Sequence, residues 1–297
     1  MGNGVRSNYL LLINTDFPSL GCDENFNMEN RSGNLYLGTQ GFSFKDWVGP
    51  FYPEGTPSRS YLEAYVRHFP SVEIDSTFYG VPKATTIQGW YQRTPANFKF
   101  AAKFPKLITH EKKLKNALGD AEAFIGSMQA LGDKLAVLTL QFAYDFKPEQ
   151  FDRLDDFLGS LPDGQRYAVE VRNREWLTPA FREMLANHNV ALVLQDLHYM
   201  PRLDWVTADF SVIRWLGRRK DIQVFDRIQI DRTKVLEAWA QMVAGFLDAG
   251  VDVYGFFNNH FAGHSPESVR QFAALLNQPF QPPKTGNSNP QLDLELG

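Results

Sequence analysis

Eight short apolar runs, each bounded by Gly, Pro, Asp or Asn, alternate along the chain with stretches of helical periodicity, and that alternation restricts the fold more than any other feature. The runs cover residues 35–39, 72–75, 98–103, 135–141, 167–172, 191–196, 211–215 and 251–258. Their length and punctuation predict strands. Between them, 120–131 places Ala123, Phe124, Met128 and Leu131 on one helical face, and 148–158 does the same with Phe151, Leu154, Phe157 and Leu158 after an opening Pro148. Thr178 is a predicted N-cap with Pro179 as first helical residue of 178–187, and a helix over 233–249 is predicted to stop at Gly250, a natural C′ residue. Strands separated by helices pair in parallel, and eight such units are enough to close the sheet. An open doubly wound sheet would carry a glycine-rich phosphate turn after its first strand. Gly38-Thr39-Gln40-Gly41 is not that motif, and no Walker motif is present. The predicted fold is therefore α/β, a single (β/α)8 TIM-type barrel.

A chain of 297 residues suits one such barrel, and 24 Phe, 11 Tyr and 6 Trp can fill its core. Residues 1–33, rich in Asn, Ser, Asp and Gly without a sustained period, are expected to form a leader outside the fold. The barrel is placed at 34–278, and 279–297 reads as a polar C-terminal tail. A formal charge of −4 argues against a surface coated for nucleic acid but leaves room for a local basic cleft. The single cysteine, Cys22, excludes an intramolecular disulfide framework and fits a reducing compartment. No run approaches the roughly 18 apolar residues of a membrane span, and 9–13 is too short for a signal-peptide core. The expected location is cytoplasmic, with no membrane partner.

In barrels of this type, functional groups sit at the strand C-termini and the loops beyond them. The first strand ends in Thr39 and Gln40, followed by an aromatic-rich loop holding Trp47, Phe51 and Tyr52. The second ends in Glu73 and Asp75, which share a face by the period-2 rule, then Phe78 and Tyr79. The third offers Lys103 and then His110, the fourth Gln141, the fifth Glu170 and Arg172, the sixth Asp196, the seventh Arg214, and the eighth Asn258, Asn259 and His260 with His264 beyond. Each has a structural alternative. Glu170 and Arg172 could be an ion pair satisfied within the barrel, because buried charge is costly unless paired. The loop aromatics could seal the loop onto the core or stack on a sugar or base. Collectively, three cations and four carboxylates on one rim exceed what packing requires. His260 and His264, spaced i, i+4, would make a metal pair on a helix, but Gly263 and Pro266 favour a loop entering a helix at Ser265. His68, His188 and His198 receive no chemistry.

At these residues the chain resembles the YecE-like family (domain of unknown function 72). The matching segments are Leu37-Gly-Thr-Gln-Gly-Phe42 with Trp47 and Phe51-Tyr-Pro53, Glu73-Ile-Asp-Ser-Thr-Phe-Tyr79, and Phe98-Lys-Phe-Ala-Ala-Lys103 with Ile108-Thr-His110. Leu140-Gln-Phe142, Ala168-Val-Glu-Val-Arg172 with Trp176, and Val253-Tyr-Gly-Phe-Phe-Asn-Asn-His260 complete the set. The resemblance implies a TIM-type barrel with no settled activity. Two departures stand out: Asp75 occupies a position where the family usually has Asn, and Arg214-Trp-Leu-Gly217 lacks the His of the usual Arg-x-His-Gly.

The leading expectation is a hydrolase or lyase acting by acid/base chemistry on an anionic, phosphate- or carboxylate-bearing substrate. Glu73, Glu170 and Asp196 are the candidate catalytic carboxylates. Thr39, Trp47, Tyr79, Lys103, His110, Gln141, Arg172, Arg214, Asn258, Asn259 and His260 are the candidate substrate-binding residues, with the arginines suited to forked anion contacts. No cofactor is implied by any motif; a divalent metal is conceivable but not favoured. The rivals are a metal-assisted phosphodiester hydrolase on nucleic acid, resting on fold analogy, and a non-catalytic small-ligand or RNA-binding barrel. A retaining glycosidase would need its two carboxylates roughly 5–5.5 Å apart.

Overall fold

The computed structural model describes residues 32–218 and 221–277. Apart from Ser32 and Gly33, the expected leader lies outside the described residues, as do Cys22 and the tail at 279–297. Gly33 donates its N–H to Leu247 O at 2.8 Å.

Each predicted strand forms: β1 (Leu35–Gln40), β2 (Ser71–Ile74), β3 (Lys99–Lys103), β4 (Leu135–Gln141), β5 (Tyr167–Glu170), β6 (Ala191–Asp196), β7 (Phe210–Trp215) and β8 (Asp252–Phe257). Each pairs in parallel with its sequence neighbours, and β8 pairs with β1, so the sheet closes as a barrel. The surrounding helices are α1 (Tyr61–Tyr65), α2 (Ala84–Gln92), α3 (Leu118–Met128), α4 (Phe151–Gly159), α5 (Pro179–Asn187), α6 (Thr233–Asp248), α7 (Asn259–Ala262) and α8 (Ser265–Leu275). Strand alternation divides the apolar side chains between two cores. Val72, Leu138, Leu140, Val169, Leu192, Leu194 and Ile213 point outward onto the helices. Ala101, Val137, Ala168, Ala191, Val193, Val212 and Phe256 form a separate inner cluster. Ala101, Ala168 and Ala191 in that inner layer leave room for long charged side chains above them.

The cap signals act as expected. Thr178 accepts a hydrogen bond from Phe181 N at 3.2 Å with Pro179 at the first helical position. Gly250 follows α6 at φ +79°, a left-handed geometry that suits glycine. One expectation shifts. The helix predicted over 120–131 runs from Leu118 to Met128, and the 3-10 segment Gln129–Lys134 that follows is interrupted at Gly132 (φ +51°). The β6–β7 connection holds no helix among the described residues. There Thr207 Oγ1 donates to Val190 O (2.7 Å) and accepts from Leu192 N (2.8 Å).

At the N-terminal strand ends, Arg166 Nη1 donates to Asp252 Oδ2 (3.2 Å) and Tyr254 Oη (2.8 Å), and the Tyr254 ring stacks on Tyr36 at 4.8 Å. Among the described residues no helix is long and apolar enough to cross a membrane.

Candidate functional site

Inward-facing side chains at the C-terminal ends of the strands converge on one ion cluster. From β7, Arg214 reaches across the barrel and donates through Nε (3.1 Å) and Nη2 (2.9 Å) to Glu73 Oε2 of β2. Its Nη1 donates to Glu170 Oε2 of β5, and Asp75 Oδ1 lies 4.0 Å from Nη2. Arg172 pairs with Glu170, and Lys103 of β3 pairs with Asp75. Arg214 is only 2% exposed, and Glu73 and Glu170 are fully buried. The carboxylates nevertheless differ. Burial alone would raise both, but for Glu170 the charges of Arg172 and Arg214 overcome it and hold the carboxyl below the ordinary range. For Glu73 burial prevails over Arg214 and Lys103, with Asp75 and Glu170 adding repulsion, and its proton is held more tightly than usual.

That asymmetry sets a pH dependence. The folded chain binds the Glu73 proton more tightly than the unfolded chain does. Its contribution to stability is therefore full at acid pH and declines as pH rises from the ordinary carboxylate value through the folded one. Within that window Glu73→Gln is expected to gain on wild type by about 1.4 kcal/mol per pH unit. Urea denaturation of both proteins across the window measures the slope of the difference, and a flat difference would contradict this account.

Above the cluster opens a cavity of about 840 Å³. Of the residues expected at the mouth, Tyr79, Lys103, His110, Gln141, Arg172, Arg214 and Asn258 line it. Gln40, Asp75, Phe78, Tyr144, His198, Tyr199, Arg218 and Asp221 join them. Asn258 Nδ2 donates to Gln40 Oε1 at 2.9 Å, while Asn258 Oδ1 accepts from His260 N and caps α7. His110 sits on a single π-helical turn, Leu107–Glu111, with Nδ1 2.9 Å from Thr109 Oγ1 and its ring edge-on to Phe78 at 4.9 Å. Burial lowers its pKa and favours the neutral imidazole. Just beyond, Lys113, Leu114 and Asn116 all adopt positive φ, strain of a kind that gathers at functional sites. The Lys113–Asp145 ion pair at 2.5 Å pins this segment to the β4 loop. Tyr79 and Tyr144 are 77% and 63% exposed although both line the cavity.

Several expected site residues lie elsewhere. Thr39 is on the outward face of β1, where its N–H donates to Tyr65 Oη (2.9 Å) and its hydroxyl to Gly41 O (2.7 Å); Gln40 faces the mouth instead. Asp196 points outward from β6 by the same alternation, accepting from Trp239 Nε1 at 2.9 Å. Trp47 is fully buried and donates to Asn259 Oδ1 at 3.2 Å, so both seal the loop rather than line the cavity. His260 lies outside the lining, edge-on to the Phe225 ring at 5.0 Å. His264 is the buried N-cap position of α8, its pKa lowered to about 4 by desolvation. Among the described residues no group of three or more His, Cys, Asp or Glu side chains is arranged to hold a metal ion. Glu73 and Glu170 lie beneath the lining, covered by Arg214 and Arg172. His198, given no chemistry in the sequence, lies in the wall because the β6 loop turns back over the mouth.

Comparison with known proteins gives the fold a lineage. YecE of Escherichia coli K12 is 31% identical over 156 residues, a match that spans 52% of this chain and 55% of that relative. The chain thus covers little more than half the length of that relative. YunF of Bacillus subtilis is 24% identical over 305 residues, covering 88% of this chain and 99% of YunF. The crystal structure of a DUF72 family protein from Thermotoga maritima superposes with a TM-score of 0.71 at 28% identity, over 82% of this chain and 99% of that one. One from Enterococcus faecalis gives 0.67 at 24%, over 83% and 99%, and supports the fold alone. The model of the family described as "protein of unknown function DUF72" matches residues 36–292, and the chain belongs to that family.

Proposed function

We propose that this barrel is an enzyme of the hydrolase or lyase type that binds an anionic substrate, phosphate- or carboxylate-bearing, over the Lys103, Arg172 and Arg214 cluster. The observation that carries the proposal is the state of Arg172. Its guanidinium lines the cavity, its terminal nitrogen pairs with Glu170, and its Nε is buried with no hydrogen-bond partner. The side chain as a whole keeps 16% of its surface accessible, and an anion oxygen in the cavity would meet its remaining charge there. Lys103 and Arg214 lie in the same floor, each paired with a carboxylate. Gln40, Gln141 and Asn258 offer amide groups to orient the substrate, and Tyr79 and Tyr144 offer flat faces for a ring attached to the anion.

Proton transfer falls to groups in the cavity wall. His110, neutral and steadied at Nδ1 by Thr109, leaves Nε2 to take or return a proton. Glu73 and Glu170, covered by arginine, serve to hold Arg214 and Arg172 in place. Phenyl phosphate, which carries both anion and ring, is a suitable probe. Arg172→Met is expected to weaken its binding by about 10- to 100-fold, the loss of one charge-assisted contact of about 1.5–3 kcal/mol. Calorimetric titration measures it, and equal affinity in the variant and wild type would remove the basis of the proposal. Any turnover found on screening phosphate esters should fall in His110→Gln with little change in KM.

A further inference from the structure

Glu73 is gripped on one oxygen only. Arg214 Nε and Nη2 both donate to Oε2, whereas Oε1 is buried with no partner. The charges facing this carboxyl come from four directions: Arg214 on β7, Lys103 on β3, Asp75 at the end of its own strand, and Glu170 on β5, the last shared with Arg172. Three cations therefore meet three carboxylates, and with all six ionised the cluster is neutral. Such a cluster has no spare positive charge for an incoming anion. An anion added without compensation would leave net negative charge in a buried setting, where Coulomb energies are large. The arginines and the lysine already carry their full charge, so the balance is restored most cheaply by neutralising a carboxylate. Glu170 is held by two arginines and Asp75 by Lys103 at the cavity surface, which leaves the bare oxygen of Glu73.

We propose, building on the anion-site reading above, that at any pH where Glu73 is ionised in the free protein the site takes up one proton from solvent with each anion it binds, and that this proton resides on Glu73 Oε1. No bond to the anion is made or broken; the proton leaves buffer acid and joins the carboxylate, changing the cluster from neutral to +1 as the anion arrives. The site then selects an anion together with a proton, and binding strengthens as pH falls.

Sulfate is the probe, because it does not itself titrate near neutral pH; the one proton offsets one of its two negative charges. Titration calorimetry of wild type in buffers of different ionisation heat is expected to show uptake of about one proton, and the sulfate Kd is expected to rise about tenfold per pH unit where Glu73 is ionised in the free protein. Glu73→Gln, a neutral mimic of the protonated acid, is expected to bind sulfate with a nearly pH-independent Kd, at least about tenfold tighter than wild type at alkaline pH. His110→Gln controls for the imidazole in the wall and should keep the slope whatever its affinity. Binding without proton uptake, as when a water fills the place beside Oε1, overturns this inference alone, as does an unchanged slope in Glu73→Gln. Absence of sulfate binding at every pH, or binding indifferent to Arg172→Met, overturns the anion-site reading and this inference with it. The wild-type calorimetry needs no variant, so poor folding of Glu73→Gln leaves the inference open to refutation.

Discussion

Replacing Arg214 by methionine is expected to lower the free energy of unfolding by about 3–5 kcal/mol, the loss typical when one partner of a buried ion pair is removed. Two carboxylates depend on that guanidinium. Glu170 would keep Arg172, but Glu73 would keep no direct partner and would have to protonate or draw water into the barrel. Arg214→Lys should recover only part of the loss, because a point charge cannot fork to β2 and β5 at once. The decisive comparison is the double variant Arg214→Met with Glu73→Gln. It removes the orphaned carboxylate along with the cation, keeps the Glu170–Arg172 pair, and is expected to regain most of the stability. Guanidinium denaturation reads all three. A single variant within about 1 kcal/mol of wild type would mean that the cluster is far better solvated than its burial implies.

Trp47→Ala should be comparably severe, at about 3–5 kcal/mol, the range for truncating a fully buried aromatic. The indole packs against Phe44 (4.6 Å), Phe51 (5.6 Å) and Tyr52 (5.9 Å). Its N–H also shares Asn259 Oδ1 with Ser265 N (3.0 Å) and Ser265 Oγ (2.8 Å). Losing the ring would therefore open a void beneath the β1–α1 loop and free one side of the α7–α8 junction. Trp47→Phe keeps much of the packing and forfeits the hydrogen bond, for an expected loss of about 1–2 kcal/mol. Amide exchange should rise in both 42–52 and 259–265 in the alanine variant. Faster exchange in the first segment only would show that the Asn259 contact does not couple them.

The barrel was legible because its strands are short, punctuated and spaced by helical patterns, all local properties. Strand parity was equally readable but needed to be applied residue by residue. Gln40 and Gln195 face inward, so Thr39 and Asp196 cannot, and proximity to a strand end alone misplaces both. The pairing of Trp47 with Asn259 spans 212 positions and that of Glu73 with Arg214 spans 141, and nothing local announces either. The left-handed residues at 113, 114 and 116 are a lysine, a leucine and an asparagine, so the usual glycine signal of a strained turn was missing from all three. His198 escaped notice because its place in the wall depends on how the helix-free β6–β7 connection folds over.

Arg214 with its two glutamates has a consequence for how such a barrel can change. The three positions form one unit around the cation: removing Arg214 alone strands Glu73 in the interior, so a viable route away from this cation must change a glutamate with it or pass through a weakened intermediate. Loop residues such as Tyr79, Tyr144 and Arg218 carry no such linkage. Laboratory selection for new ligands should therefore yield substitutions in the wall and rim early and often. Loss of Arg214 should surface only together with a change at a partner glutamate, or in a background already stabilised elsewhere.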